Sequence, residues 1–186
     1  MARPKRIAVF GSSGSIGCSA LEVIRRFPDR FQVYALCVNS QTHVLRRQAR
    51  RFHPDVVCVT DRSAARRMSA EKLPSGVRVA SGYEGLQALC RDPRVDHALI
   101  AISGAAALPV VLKAVEYGKE VSLANKEALV MAGPLIMAAA RRRKTVIRPI
   151  DSEQSAIWQC LSAAAGNPVK AVYLTASGGP FRTWSR

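Results

Sequence analysis

The stretch RIAVFGSSGSIG, residues 6–17, decides the fold. Ile7–Phe10 is an unbroken apolar run, which is typical of a strand covered on both faces of a parallel sheet. Glycines follow at positions 11, 14 and 17, where a helical apolar pattern begins. In such a unit the first glycine makes a tight turn, the second lets the backbone approach a pyrophosphate, and the third lets the helix pack close to the sheet. The stretch therefore predicts a dinucleotide-binding turn.

Strand-length apolar runs alternate with helical patterns along the rest of the chain. This alternation predicts an α/β fold with a doubly wound, mostly parallel Rossmann-type sheet. We assign residues 1–150 to this domain and residues 151–186 to the start of a second, catalytic α/β domain that ends in mid-fold. Strands are predicted over residues 6–10, 31–37, 56–60, 77–80, 97–102, 120–123, 145–148 and 171–175, and helices over residues 15–27, 42–52, 63–73, 83–91, 108–117, 127–142 and 153–165.

Loops rich in Gly, Ser, Asn and acidic residues follow several of the predicted strands. In doubly wound sheets the ligand lies beyond the carboxyl ends of the strands, so these loops should converge on one edge. The convergence is a stronger indication of a binding site than any single loop. The loops cover residues 11–17, 103–104, 124–127, 151–153 and 177–179.

Composition limits the classes of partner. The formal net charge of +15 favours anionic ligands, but the basic runs fall on separate predicted helices and the aromatic content of 6% does not interleave with them. We therefore expect a phosphorylated small molecule and no nucleic acid. No apolar run reaches the roughly 20 residues of a membrane span, and Ile7–Phe10 is too short for a signal-peptide core, so we expect a cytoplasmic protein with no membrane partner.

The loop after the second predicted strand indicates which dinucleotide binds. An NAD site usually carries an acidic residue there, but this chain has Asn39, Ser40 and Gln41. A cofactor with a 2′-phosphate would meet no repulsion and would be favoured by the nearby Arg46 and Arg47. The sequence therefore favours NADP over NAD.

Asp151 and Glu153 follow another predicted strand. In an extended segment, residues two apart point to the same side, so both carboxylates would hold one hard cation such as Mg²⁺ or Mn²⁺. Water, substrate or a later residue would complete its coordination. The alternative is an ordinary helix start, with Asp151 or Ser152 as the cap and Glu153 in the first turn.

Two further loops carry polar residues with more than one interpretation. Asn125 and Lys126 can contact a nicotinamide ribose and an anionic or hydroxylated substrate, whereas Glu127 is equally consistent with a first-turn charge. Ser177, followed by two glycines, can bind a phosphate or belong to an ordinary loop.

Taken together, these loops carry a family resemblance. GSSGSIG (residues 11–17), LANKE (123–127), PIDSE (149–153) and LTASGGPFR (174–182), in this order and spacing, resemble the 1-deoxy-D-xylulose 5-phosphate reductoisomerases. The resemblance extends over essentially the whole chain. It implies an NADPH- and metal-dependent enzyme of the non-mevalonate isoprenoid route, which rearranges the carbon skeleton of its substrate and reduces the product to 2-C-methyl-D-erythritol 4-phosphate.

The resemblance also implies roles for individual residues. The divalent metal, Mn²⁺, Mg²⁺ or Co²⁺, would bind Asp151 and Glu153, which form the catalytic set with Lys126. The cofactor would contact Ser13, Gly14, Ser15, Ile16, the loop of Asn39, Ser40 and Gln41, and Asn125 and Glu127; the substrate would contact Lys126, Ser152, Glu153 and Ser177.

The chain departs from the family pattern in three ways. Residues 39–41 replace a glycine, a basic residue and an asparagine that the family often has there, and Gln154 replaces a usual histidine. The family also continues past residue 186 with a third metal carboxylate, phosphate ligands and a closing loop. Because the metal site is incomplete without those residues, we expect these 186 residues alone to turn over very slowly or not at all. The resemblance separately implies that the full-length protein is a homodimer.

Two other functions fit parts of the pattern. An NADP-dependent dehydrogenase of the semialdehyde or homoserine type would share the fold and give Asp151 and Glu153 no role. A non-catalytic, basic anion-binding module would use the arginine-rich helices, with binding that falls steeply as salt rises.

Overall fold

The computed structural model describes residues 3–69, 73–164 and 166–174. Within these ranges the strands are β1 Lys5–Phe10, β2 Phe31–Val38, β3 Val56–Val59, β4 Arg78–Ser81, β5 His97–Ile100, β6 Glu120–Leu123 and β7 Ile147–Pro149. The helices are α1 Ser15–Arg26, α2 Thr42–Phe52, α3 Arg62–Ser69, α4 Gly82–Arg91, α5 Leu108–Glu116, α6 Lys126–Arg143 and α7 Ser152–Ala163, with a 3₁₀ turn at Gly104–Ala107.

The strands form one sheet in the order β4-β3-β2-β1-β5-β6-β7, with parallel pairing throughout. The order reverses between β1 and β5, which is the point where ligands bind in doubly wound sheets. Successive side chains of β1 point to opposite faces of the sheet: Val9 lies in one buried apolar cluster and Phe10 in the other. The predicted α/β fold is confirmed, and the reversal places a crevice directly beyond Phe10.

The glycine turn begins where β1 ends, and close contact with both neighbouring strands explains its sequence. The amides of Gly11 and Ser12 both donate to the Cys37 carbonyl of β2 at 2.9 Å. Gly11 has φ +90°, and a Cβ there would lie 2.5 Å from the Ala101 carbonyl oxygen beyond β5. A Cβ on Gly17 would lie 2.7 Å from the Ser12 Cα. Glycine is therefore required at both ends of the turn.

Two features differ from the sequence prediction. Helix α6 is kinked at Ala132, whose φ of −144° is not helical, and Pro134 inside the helix accounts for the break. The strand predicted over residues 171–175 is wrong for 171–174, which form no strand. Among the described residues this segment has no strand pairing, and Val172, Tyr173 and Leu174 are more than half exposed. Residue 175 lies outside the described residues.

Other predictions concern how the chain is organised. The boundary between residues 150 and 151 stays a prediction. The Ile150 amide donates to the Leu123 carbonyl of β6 at 2.9 Å, so the chain remains hydrogen-bonded to the sheet up to that residue.

In the part of the chain that the structure describes, no helix combines the length and apolar character needed to span a bilayer.

A buried pair of hydrogen bonds fastens the glycine turn to α2. Ser12 is fully buried; its hydroxyl donates to Gln48 Oε1 at 2.8 Å, and Gln48 Nε2 donates back to the Ser12 carbonyl at 2.7 Å. These bonds satisfy polar groups that water cannot reach. They hold the turn in register with the helix that follows β2.

We predict that Gln48→Leu destabilises the protein, because it leaves the Ser12 hydroxyl and carbonyl buried without these partners. The expected loss is about 2–3 kcal/mol of unfolding free energy, or roughly 5–10 °C in Tm. Urea and thermal denaturation followed by circular dichroism measure it. Gln32→Leu, at an exposed position of β2, is the matched control. Equal stability of the two variants would contradict the prediction.

Candidate functional site

A cleft of about 440 Å³ lies at the carboxyl edge of the sheet, over the reversal between β1 and β5. The glycine turn, the ends of β2 and β3, the start of α4 and the loop after β5 surround it. The lining residues are Gly11, Ser13, Gly14, Cys37, Val38, Asn39, Thr60, Tyr83, Leu86, Ala101, Ile102, Ser103 and Ala106. This is the crevice that the sequence predicted for a dinucleotide.

The glycine turn presents amide donors to this cleft. Gly14 is the N-cap of α1 and has no side chain to satisfy the amides of the first turn. The amides of Ser15, Ile16 and Gly17 donate to no acceptor among the described residues. The first hydrogen bond of the helix runs from the Cys18 amide to the Gly14 carbonyl at 2.9 Å. Free amides and the helix dipole together favour an anion at this point. Ser13 and Gly14 line the cleft beside them.

The loop after β2 lies at one end of the cleft. Asn39 lines the cleft, and Ser40 and Gln41 follow as exposed residues that lead into α2. The Thr60 hydroxyl donates to Asn39 Oδ1 at 2.8 Å. Arg47, at the middle of α2, lines a separate groove between α1 and α2.

Thr60 and Tyr83 are site residues that the sequence prediction missed. Thr60 directly follows β3, whose end lies beside that of β2, so the strand order would have identified it. Tyr83 lies in the first turn of α4, and its hydroxyl donates to the Ala106 carbonyl at 3.4 Å, across the cleft. This contact depends on residues far apart in the chain and has no local sequence pattern.

Asn125 is a buried N-cap. Its Oδ1 accepts from the Ala128 amide at 2.7 Å, and its Nδ2 donates to the carbonyls of Ile102 at 3.0 Å and Gly104 at 3.1 Å. The side chain therefore joins the start of α6 to the loop after β5, which lines the cleft. A direct contact of Asn125 with a cofactor stays a prediction, as does one for the neighbouring, exposed Glu127.

Lys126, Asp151 and Glu153 form a charged cluster where β6 and β7 end. Lys126 Nζ lies 3.2 Å from Asp151 Oδ2 and 3.9 Å from Glu153 Oε2. The Asp151 carboxylate raises the pKa of Lys126, and a hydrogen bond from the Ser152 hydroxyl, at 2.7 Å, lowers the pKa of Glu153, with Lys126 adding to the effect. The structure thus brings the three predicted catalytic residues together.

The two carboxylates do not form the extended pair that the sequence predicted. Asp151 is the N-cap of α7, and Glu153 lies in the first turn of that helix. The structure therefore shows the helix start that the sequence left as the alternative, although among the described residues the Asp151 side chain makes no capping hydrogen bond. The helix start itself turns both carboxylates toward Lys126.

The donor set of this cluster fits a hard divalent cation. Asp151 Oδ2 is buried, and its polar contact among the described residues is the ion pair with the Lys126 ammonium at 3.2 Å; this cation also lies beside Glu153. Oxygen ligands of this kind suit Mg²⁺ and Mn²⁺. No third potential ligand from His, Cys, Asp or Glu joins them in the described residues. Ser177 lies outside those residues, so its predicted substrate contact stays a prediction.

Comparison with known proteins identifies the family. The family model described as 1-deoxy-D-xylulose 5-phosphate reductoisomerase matches residues 7–133, and the model of the C-terminal domain of the same enzyme matches residues 147–186. The curated reductoisomerase of Anaeromyxobacter dehalogenans is 48% identical over 178 residues, which cover 96% of this chain and 45% of that protein. The chain thus spans about half the length of the curated relatives it matches.

Solved structures agree with this assignment. The reductoisomerase from Zymomonas mobilis, solved in complex with NADPH, matches with a TM-score of 0.89 and 39% identity over 100% of this chain and 49% of its own. A reductoisomerase solved in complex with magnesium matches with a TM-score of 0.89 and 38% identity over 98% of this chain and 48% of its own. From the match of the family model and the geometry of both sites, we conclude that the chain belongs to the 1-deoxy-D-xylulose 5-phosphate reductoisomerase family.

Proposed function

We propose that this chain supplies the NADPH-binding part and two metal-binding carboxylates of a reductoisomerase. The reaction rearranges the carbon skeleton of 1-deoxy-D-xylulose 5-phosphate and reduces the resulting aldehyde with hydride from NADPH, which gives 2-C-methyl-D-erythritol 4-phosphate. The two alternatives raised by the sequence lose support because the family model covers residues 7–133. Cytoplasmic location and a homodimeric full-length protein stay predictions.

One observation carries the proposal: Asn125 joins the two candidate sites. Its amide nitrogen donates to Ile102 and Gly104 in the loop beside the cleft, and the next residue, Lys126, contacts both carboxylates. A hydride donor in the cleft and a sugar phosphate at the carboxylates would therefore bind to two parts of the chain that are connected through the adjacent residues Asn125 and Lys126. Such positioning is a large part of what an enzyme contributes to a reaction between two bound molecules.

The cofactor is assigned from the chemistry of the cleft. The unpaired amides at the start of α1 suit the pyrophosphate, and Asn39, Ser40 and Gln41 place no acidic side chain beside the ribose. The Zymomonas mobilis relative was solved with NADPH. These observations favour NADPH over NADH.

The metal is assigned from the Asp151–Glu153 pair. A divalent cation bound there would act as a Lewis acid toward the substrate's carbonyl and hydroxyl oxygens. Asp151 and Glu153 would hold it, Ser152 would fix the Glu153 carboxylate through its 2.7 Å hydrogen bond, and Lys126 would present a positive charge to the sugar phosphate. The magnesium complex of a relative supports the choice of a hard cation.

We predict that Asn39→Asp shifts the cofactor preference toward NADH. A carboxylate there would repel a 2′-phosphate but accept a hydrogen bond from a 2′-hydroxyl. The NADPH dissociation constant should rise about tenfold or more, which corresponds to at least about 1.4 kcal/mol. Titration of both reduced cofactors by nicotinamide fluorescence measures the change. Asn167→Asp, at an exposed position away from the cleft, controls for the added charge. Unchanged NADPH affinity in Asn39→Asp would contradict the role given to this loop.

We predict that the chain binds Mn²⁺ and that Asp151→Asn weakens the binding about tenfold or more, because one of two charged oxygen ligands is lost. Electron paramagnetic resonance of free Mn²⁺ measures the dissociation constant. Asp29→Asn, which removes an exposed carboxylate elsewhere, should have no effect. Equal Mn²⁺ affinity in both variants would argue against the assigned ligands.

Turnover is the direct test of the proposed function. With substrate and Mn²⁺, the 186-residue chain should oxidise NADPH very slowly or not at all, because two carboxylates leave a six-coordinate cation largely without protein ligands. Fusing the chain to the remaining half of the Anaeromyxobacter dehalogenans relative should give substrate-dependent oxidation that Asp151→Asn abolishes. An ordinary enzymatic rate from the unfused chain, or a folded fusion without activity, would contradict the proposal.

A further inference from the structure

Thr60 and Asn39 form a side-chain pair at the end of the cleft to which the function above assigns the adenosine half of NADPH. We propose that Thr60 sets the orientation of the Asn39 carboxamide and thereby makes the site selective for a 2′-phosphate. Thr60 is a positioning residue in this inference, because it acts through Asn39. The inference rests on the proposed binding of NADPH.

The backbone fixes the two residues relative to each other. The Thr60 amide donates to the Val38 carbonyl at 3.0 Å, and the Asp61 amide donates to the Asn39 carbonyl at 3.0 Å. The ladder between β2 and β3 therefore continues past both strand ends. Threonine is β-branched and has a restricted χ1, so its hydroxyl is held in place at little further entropic cost. Thr60 is partly buried, whereas Asn39 is exposed in the cleft.

The hydrogen bond between the two side chains occupies the oxygen of the Asn39 carboxamide and leaves its nitrogen available to a ligand. The Thr60 hydroxyl donates to Asn39 Oδ1 at 2.8 Å. The two N–H groups of Asn39 Nδ2 have no partner among the described residues. An amide nitrogen can only donate, and an amide oxygen can only accept. Asn39 therefore offers donors from a residue that lines the cleft.

A donor at this position discriminates between the two cofactors. The residue after the second strand is the one that contacts the 2′ position of the adenosine ribose in dinucleotide folds. A phosphate there is a hydrogen-bond acceptor, so it accepts hydrogen bonds from Nδ2 and is repelled by Oδ1. A 2′-hydroxyl both donates and accepts, so either orientation of the amide serves it. Fixing the orientation should strengthen NADPH binding and leave NADH binding nearly unchanged.

The test compares Thr60→Val with Thr60→Ser in the 186-residue chain, with dissociation constants measured for NADPH and NADH. Valine keeps the shape of threonine but removes the hydroxyl, which frees the Asn39 amide to rotate. NADPH affinity should fall about fivefold in Thr60→Val, and NADH affinity should stay within about twofold. Thr60→Ser keeps the hydroxyl and loses only the restricted χ1, so its affinity for both cofactors should stay within about twofold of the unaltered chain. Equal losses for both cofactors would mean a general structural role and would overturn the inference.

A double-mutant cycle shows whether Thr60 acts through Asn39. In an Asn39→Ala background, Thr60→Val should cause no further loss of NADPH affinity, because the group it orients is absent. An undiminished fivefold loss in that background would overturn the inference. If the unaltered chain binds neither cofactor, the proposed function fails together with this inference. If the unaltered chain prefers NADPH and Thr60→Val keeps the full preference, only the inference fails.

Discussion

The close approach of Gly11 to Ala101 is the constraint on which the site depends. A side chain at position 11 would meet the Ala101 carbonyl oxygen at 2.5 Å, and the φ of +90° is one that other residues adopt only with strain. The chain can leave β1 between β2 and β5 only because residue 11 has no side chain. Two amides of the turn then reach the Cys37 carbonyl at 2.9 Å, so both neighbours of β1 hold the turn. The direction of α1, and of the free amides in its first turn, follows from these contacts with β2 and with the residue after β5.

The parts of the fold that the sequence predicted are those governed by local pattern. Unbroken apolar runs identified buried parallel strands, and polar residues after them identified the edge where the cleft lies. Contacts between distant segments were not predictable in this way. Thr60 reaches Asn39 only because β3 pairs with β2, and Tyr83 reaches Ala106 only because α4 starts beside the loop after β5. The segment 171–174 has strand-like composition, but among the described residues it pairs with no strand, so composition alone did not determine its structure.

The sequence led us to expect Asp151 and Glu153 close together, but from a premise that was wrong. Asp151 and Glu153 were expected to share one side of an extended segment, yet Asp151 is an N-cap and Glu153 belongs to the first turn of α7. Both nevertheless lie close to Lys126, because β6 and β7 are adjacent and each is followed directly by a helix start. Parallel pairing brings the two helix N-termini to the same edge. The chemistry of the cluster thus arises from sheet topology rather than from residue spacing.

The role of Asn125 follows from counting its hydrogen bonds. An amide side chain has two N–H donors and one oxygen with two lone pairs. The donors go to Ile102 and Gly104, and the oxygen accepts from Ala128, so one lone pair remains. With a solvent exposure of 1%, that lone pair is poorly placed to recognise a ligand. The contribution of Asn125 to binding is therefore mainly positional: it holds the loop beside the cleft and the start of α6 in one geometry. The distance between the proposed cofactor site in the cleft and the proposed substrate site at Lys126 depends on that geometry.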